Sequence, residues 1–136
     1  MLDLDLYQAK KLYPFQEKTV NQVLDELRKN GSNFNLLYQL PTGGGKTVIF
    51  SAIAKRYIEE SGKKVLILTH RIELSIQTSK QLSAIQVPNK VINSEVKTLE
   101  DQDDYTCFIA MVETLNNRLN ENDQFIENVG LVIVDE

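Results

Sequence analysis

Apolar residues recur along this chain in two patterns. In the first they follow helical spacing, as with Val20, Val23, Leu24 and Leu27, which lie between Pro14 and Asn30 and predict an amphipathic helix. In the second they form short uninterrupted runs, which are typical of strands buried on both faces. The predicted helices cover residues 14–30, 46–61, 72–85 and 113–119, and the predicted strands cover 35–40, 65–68, 91–92, 107–110 and 131–134.

The order of these segments predicts the fold class. Residues 1–13 read as a lead-in, and residues 100–104 read as a solvated acidic loop. From residue 35 onward, strands alternate with helices, which indicates a mainly parallel sheet with helices on both faces. We therefore expect a three-layer α/β domain.

Composition narrows the class of protein. A length of 136 residues suits one domain. The net charge of −4 argues against extensive contact with a nucleic-acid backbone, but it is compatible with a few local phosphate contacts. A single cysteine, Cys107, excludes an internal disulfide, and the N-terminus lacks a secretory signal pattern, so we expect a cytoplasmic location. No apolar run approaches a membrane span in length, so no membrane partner is expected.

A glycine-rich segment directly after the apolar run 36–40 carries the clearest chemistry. Its residues are Thr42, Gly43, Gly44, Gly45, Lys46 and Thr47. The glycines let backbone N–H groups surround a phosphate, and the helix that opens at Lys46 adds the positive end of its dipole. Lys46 can reach the β- and γ-phosphates, and the Thr47 hydroxyl can bind Mg²⁺. The segment predicts a nucleoside triphosphate site, with ATP and Mg²⁺ as its ligands.

Two carboxylates complete this predicted site. Asp135 and Glu136 directly follow the apolar run 131–134. A carboxylate at the end of a parallel strand lies at the same sheet edge as a phosphate loop. Asp135 would then hold Mg²⁺ together with Thr47, and Glu136 would polarise the water that attacks the γ-phosphate.

Four segments, in order, resemble the first RecA-like domain of superfamily 2 helicases and translocases. They are residues 12–16 (Leu-Tyr-Pro-Phe-Gln), 39–47 around the glycines, 68–74 followed by Gln77, and 132–136. The third segment, with its His-Arg-x-Glu-Leu-x-x-Gln pattern, is most similar to the group shared by type III restriction-enzyme motor subunits and DEAD/DEAH-like DNA helicases.

The resemblance implies further roles for single residues. Gln16 would read the adenine edge, since an amide can donate and accept there at once. Thr69, His70 and Arg71 would touch the nucleic-acid backbone, and Thr114 stands in the place of the next contact motif. DNA is implied as the track more than RNA.

The resemblance also implies a domain organisation. Residues 1–136 would form an N-terminal RecA-like ATP-binding domain, and a second RecA-like domain, absent from this sequence, would supply arginine fingers. We expect the chain alone to bind ATP but to hydrolyse it very slowly, and to self-associate through an uncovered part of its sheet. Two alternatives stay open from the residues: a kinase or other non-helicase P-loop enzyme, and a non-catalytic nucleotide-binding module.

Overall fold

The computed structural model describes residues 14–30, 46–93, 102–121 and 128–134. The elements are α1 (Pro14–Asn30), α2 (Lys46–Ser61), β1 (Lys64–Thr69), α3 (Ile72–Ala84), β2 (Asn89–Ile92), a 3₁₀ turn (Gln102–Asp104), β3 (Cys107–Met111), α4 (Val112–Glu121) and β4 (Val129–Val134). The predicted lead-in 1–13 and strand 35–40 lie outside the described residues. No helix in the described ranges is long and apolar enough to cross a lipid bilayer.

The four described strands form one sheet in the order β2-β3-β1-β4, and every pairing is parallel. Thr69 at the end of β1 pairs with Met111 at the end of β3, and Leu68 pairs with Val134 at the end of β4. The carboxyl ends of these three strands therefore meet at one edge. The predicted parallel α/β fold is confirmed.

Helices cover both faces of the sheet. On one face, Phe50 and Ala54 of α2 and Leu82 of α3 pack against Val65 and Ile67 of β1. On the opposite face, Leu115 of α4 packs in a separate cluster with Leu66 and Phe108. The central strands β1 and β3 are buried on both faces, which explains why they read as continuous apolar runs.

Helix α1 lies outside α2 and is fastened to it in two ways. Val20 and Leu24 of α1 pack against Ile49 and Ile53 of α2 in a third apolar cluster. Arg28 of α1 forms an ion pair with Glu60 of α2, and this pairing raises the pKa of Arg28 and lowers the pKa of Glu60, mainly through their hydrogen bond. The pair is exposed, so the apolar contact contributes most of the attachment.

The end of α3 closes with a residue in the left-handed region. Gln86 has φ 64°, its N–H donates to the Ser83 carbonyl at 3.0 Å, and the Val87 N–H donates to the Leu82 carbonyl at 2.9 Å. Val87 and Leu82 also pack in the same apolar cluster. This pair of hydrogen bonds and this contact form a Schellman closure, whose left-handed position is usually glycine.

Strand β4 contains a bulge at Gly130. Val129 pairs with Lys64 and Leu131 pairs with Val65, so Gly130 is the extra residue between two consecutive positions of β1. A bulge turns the following side chains toward the face that packs best. Leu131 consequently joins the clusters on the α2 side of the sheet.

Beyond the bulge, β4 presents two exposed valines. Val132 is 50% exposed and Val134 is 56% exposed. The alternate residues Leu131 and Ile133 point to the other face and pack against the α2 side. The predicted self-association through an uncovered part of the sheet stays a prediction, and these valines are its apolar surface among the described residues.

Candidate nucleotide and nucleic-acid site

Three helices begin at the carboxyl edge of the sheet. Two residues separate the end of helix α2 at Ser61 from the start of β1 at Lys64. The helix therefore runs antiparallel to β1, and its first residues lie at the carboxyl edge of the sheet. Its 16 residues extend about 24 Å, which matches the roughly 20 Å of a six-residue strand. Helices α3 and α4 start directly after the carboxyl ends of β1 and β3. The edge therefore gathers three sets of helix N-terminal N–H groups, which favour anions.

Lys46 and Thr47 are the first two residues of α2. Lys46 is exposed and Thr47 is half-buried. The other predicted phosphate-loop residues, 42–45, and the predicted carboxylates Asp135 and Glu136 lie outside the described residues. The last described residue of β4, Val134, pairs with Leu68 one residue before the end of β1. The sequence position that follows Val134 is the one predicted to hold magnesium.

The predicted magnesium ligands suit the ion. Thr47 offers a hydroxyl and Asp135 a carboxylate, and Mg²⁺ prefers oxygen ligands with the remainder supplied by water and substrate phosphates. The half-buried Thr47 side chain on the first turn of α2 is the described part of this donor set. The residues present therefore fit magnesium.

Gln16 is buried in the first turn of α1, where it is 4% exposed. The neighbouring Glu17 carboxylate accepts a hydrogen bond from Arg56 of α2 at 2.6 Å, and Arg56 also donates to Asn21 at 2.9 Å. The start of α1 is thus anchored to the helix that carries Lys46 and Thr47. The predicted contact of Gln16 with adenine stays a prediction, and in this conformation the Gln16 side chain is buried.

Thr69 has a different environment from the one a direct phosphate contact needs. It is 1% exposed, and its hydroxyl lies 2.7 Å from the Ser75 hydroxyl. The same Thr69 hydroxyl is 3.3 Å from the carbonyl oxygen of Arg71. The predicted phosphate contact through this hydroxyl stays a prediction, and in this conformation the hydroxyl is hydrogen-bonded inside the protein.

His70 and Arg71 are exposed in the turn between β1 and α3. Arg71 is the N-cap of α3, with φ −135° and ψ 142°, and it makes no side-chain capping hydrogen bond. A guanidinium has no acceptor atom, so it cannot cap the helix N–H groups. The Arg71 carbonyl accepts the first helical hydrogen bond, from the Ser75 N–H at 3.2 Å. The exposed cation and the first turn of α3 thus lie together at the sheet edge.

Thr114 lies in the first turn of α4 and is half-buried. Its helix starts at Val112, next to Met111, which pairs with Thr69 across the sheet. Because paired strands lie about 4.8 Å apart, the α4 start is a direct neighbour of the β1–α3 turn. The structure therefore brings Thr114 and Arg71 to one edge, as the sequence implies.

Ser75 is the residue that sequence reasoning missed. It is 1% exposed and bonds to both Thr69 and Arg71. The sequence places Ser75 four residues after the N-cap Arg71 and next to Leu74. Neither position indicates that the serine side chain faces the protein interior. Only the path of β1 into α3 places the two hydroxyls together.

A family comparison settles the class of this chain. Residues 9–136 match the family model ResIII, described as type III restriction enzyme, res subunit.

The chain belongs to this family.

The membership confirms the resemblance to the first RecA-like domain of superfamily 2 helicases and translocases. It makes this an ATP-dependent helicase-type domain, and neither the kinase nor the non-catalytic alternative is favoured.

Individual relatives of this ResIII domain are named as helicases or as an ATPase core. The chain is 33% identical over 137 residues to a candidate ATP-dependent helicase of Saccharomyces cerevisiae, IRC3, and the match covers 96% of the chain and 19% of that relative. Among solved structures, the Sulfolobus solfataricus SWI2/SNF2 ATPase core in complex with dsDNA has a TM-score of 0.71 at 19% identity, covering 96% of this chain and 27% of that one. The UvsW helicase from bacteriophage T4 has a TM-score of 0.57 at 16% identity, and the match covers 97% of this chain and 53% of that helicase. The two structural likenesses concern the fold.

Proposed function

We propose that this chain is the nucleotide-binding part of an ATP-driven motor that moves on nucleic acid, with DNA as its track. The observation that carries the proposal is the shared edge: α2 opens there with Lys46 and Thr47, and α3 opens there with Arg71 exposed. A triphosphate and a backbone phosphate bound at this edge would lie on neighbouring helices of one sheet. Binding at one helix can then bias the position of the other.

In the nucleotide half, Lys46 would neutralise the β- and γ-phosphates, which the glycines of residues 43–45 would enclose with their N–H groups. Gln16 would hold the adenine, and its burial on a turn anchored by Arg56 would limit its freedom. Magnesium held by Thr47 and Asp135 would supply charge stabilisation for phosphoryl transfer. Glu136 would then accept the proton of the attacking water.

In the nucleic-acid half, Arg71 would pair with a backbone phosphate that also receives N–H groups of the first turn of α3. His70 and Thr114 would flank that phosphate from the same edge. Contacts of this kind position a strand without reading its sequence. The complex of the Sulfolobus solfataricus ATPase core with dsDNA supports DNA as the track.

The chain spans 19% of the yeast relative that it matches. We propose that residues 1–136 act together with a second RecA-like domain, which contributes arginine to the transition state. Such an arginine raises the rate of phosphoryl transfer by about 10³–10⁵-fold. The chain alone is then expected to bind ATP and to turn it over slowly.

The test is ATP hydrolysis by the full-length protein without nucleic acid and with single-stranded DNA, duplex DNA or RNA. Lys46→Ala should abolish hydrolysis because the phosphates lose their cation. Lys55→Ala is the matched control, since Lys55 lies on the same helix about 13 Å further along its axis. Stimulation by one nucleic acid, lost in Lys46→Ala and kept in Lys55→Ala, supports the proposal and identifies the track.

Two results contradict it. Hydrolysis that is indifferent to every nucleic acid would instead favour a P-loop enzyme with a small-molecule acceptor. Normal hydrolysis by Lys46→Ala would show that the nucleotide lies elsewhere.

A further inference from the structure

The β1–α3 turn contains a buried hydroxyl pair that is linked to the exposed arginine. The pair consists of Thr69 and Ser75, whose hydroxyl oxygens are 2.7 Å apart. Both hydroxyls also lie near the carbonyl oxygen of Arg71, Thr69 at 3.3 Å and Ser75 at 3.4 Å. The Ser75 N–H reaches the same carbonyl at 3.2 Å. One carbonyl therefore accepts from a backbone N–H and from one of two neighbouring hydroxyls.

Both buried hydroxyls have a hydrogen-bond acceptor for their proton. Each hydroxyl has one proton to donate and can accept as well. If Thr69 donates to Ser75, Ser75 is free to donate to the Arg71 carbonyl; if Ser75 donates to Thr69, Thr69 can donate to that carbonyl. In either case one hydroxyl bonds its partner and the other bonds the arginine backbone. The pair thus always restrains Arg71.

Burial makes this restraint effective. Thr69 and Ser75 are each 1% exposed, so water cannot easily replace their hydrogen bonds. Arg71 itself is exposed, and its extended N-cap backbone has no side-chain cap of its own. The orientation of the Arg71 peptide is set from inside the protein, while its side chain stays available outside.

We propose that Thr69 and Ser75 are positioning residues for nucleic-acid binding, which act through Arg71 and do not touch the nucleic acid. This inference rests on the proposed function, because it assigns a support to the phosphate contact made by Arg71. It replaces a direct role for the Thr69 hydroxyl, which cannot reach a phosphate while it is buried. It also gives a role to Ser75.

The test is a double-mutant cycle on the full-length protein, read as the concentration of a single-stranded DNA oligonucleotide that half-saturates binding, measured by fluorescence anisotropy. Thr69→Val removes the hydroxyl at constant shape and should raise this concentration about three- to tenfold, the range for one hydrogen bond. Thr69→Ser keeps the hydroxyl and should restore binding. Ser75→Ala should weaken binding in the same range, and it provides a second route should Thr69→Val fold poorly.

The decisive arm combines Thr69→Val with Arg71→Ala. If Thr69 acts through Arg71, the double variant binds little worse than Arg71→Ala alone, because the restrained side chain is already gone. Thr78→Val is the matched control, since Thr78 is also 1% exposed on α3 and lies one turn beyond Ser75. It should leave binding unchanged. ATP hydrolysis without nucleic acid should stay at the wild-type level in Thr78→Val.

Three outcomes overturn the inference, and they are distinct. Fully multiplicative effects of Thr69→Val and Arg71→Ala indicate a direct, independent contact by Thr69. Unchanged binding in Thr69→Val and Ser75→Ala, with strong loss in Arg71→Ala, removes the positioning role and keeps the proposed function. A wild-type protein that binds no single-stranded DNA and is not stimulated by any nucleic acid removes both.

Discussion

The bulge at Gly130 leads to a quantitative prediction about stability. An ideal Cβ placed on Gly130 would lie 2.7 Å from Cδ and 3.0 Å from Cβ of Lys63, and closer still to the Tyr57 hydroxyl oxygen. The Lys63 side chain is exposed, so its Cδ can swing away, while its Cβ is held by the backbone and can yield only by a few tenths of an ångström. Tyr57 is less free, because its ring packs against two apolar clusters that join α2 to the sheet. Gly130→Ala should therefore push α2 away from β4.

Two opposing effects set the expected change in the free energy of unfolding. Overpacking of this kind costs about 1–3 kcal/mol. Gly130 does not have a positive φ, so alanine can adopt its backbone, and the loss of freedom in the unfolded chain returns about 0.4–1 kcal/mol. The middle of each range gives a net loss of about 1.3 kcal/mol. With an unfolding entropy of about 2.1 cal/mol/K per residue, 136 residues convert this into a fall in Tm of about 4–5 °C.

Thermal and urea unfolding, followed by circular dichroism, measure this loss. Tyr57→Phe removes the oxygen that the new methyl group meets, so Gly130→Ala combined with Tyr57→Phe should recover most of the stability that Gly130→Ala loses relative to wild type. Gly62→Ala is a contrasting control: nothing lies within 4 Å of its Cβ, and its cost comes from its φ of 70° alone, so Tyr57→Phe should not rescue it. Unchanged stability in Gly130→Ala, or no rescue by Tyr57→Phe, would refute the steric explanation.

Two further predictions concern the end of α3 and the single cysteine. Gln86→Gly should stabilise the chain by about 0.5–1 kcal/mol, because glycine adopts the left-handed position of the Schellman closure without strain; urea unfolding that shows a loss would contradict this. Burial raises the pKa of the Cys107 thiol to about 12, whereas an unfolded thiol ionises near pH ~8.5. Above pH ~8.5 the folded state therefore binds more protons than the unfolded state. The free energy of unfolding keeps its full value below pH ~8.5 and falls as the pH rises toward 12, by at most about 1.4 kcal/mol per pH unit. Urea titrations at pH 8 to 10 should show a steeper decline for wild type than for Cys107→Ala, and parallel curves would contradict it.

The amino-acid sequence by itself determined the local elements and the class of the protein. Helices α1 and α2 were predicted with the observed bounds, since Pro14 and Lys46 begin helices that helical apolar spacing then continues. Strands β1 and β3 were visible as apolar runs because helices cover both faces of the sheet at its centre. The ordered motifs identified the family because phosphate binding needs glycine, lysine and threonine at fixed spacing. The elements are local information, carried by residues within a few positions of one another, and the family follows from four such segments in order along the chain.

The tertiary structure decided what depends on distant residues. The strand order β2-β3-β1-β4 and the bulge at Gly130 arise from pairing between segments more than sixty residues apart in the case of β1 and β4. The inward direction of the Thr69 hydroxyl depends on how β1 passes into α3 and on Ser75, which meets it there. A polar residue at a strand end can face either solvent or protein, and the choice is made by packing. The sequence therefore located the site edge, and the fold determined which of its side chains face outward and which support them.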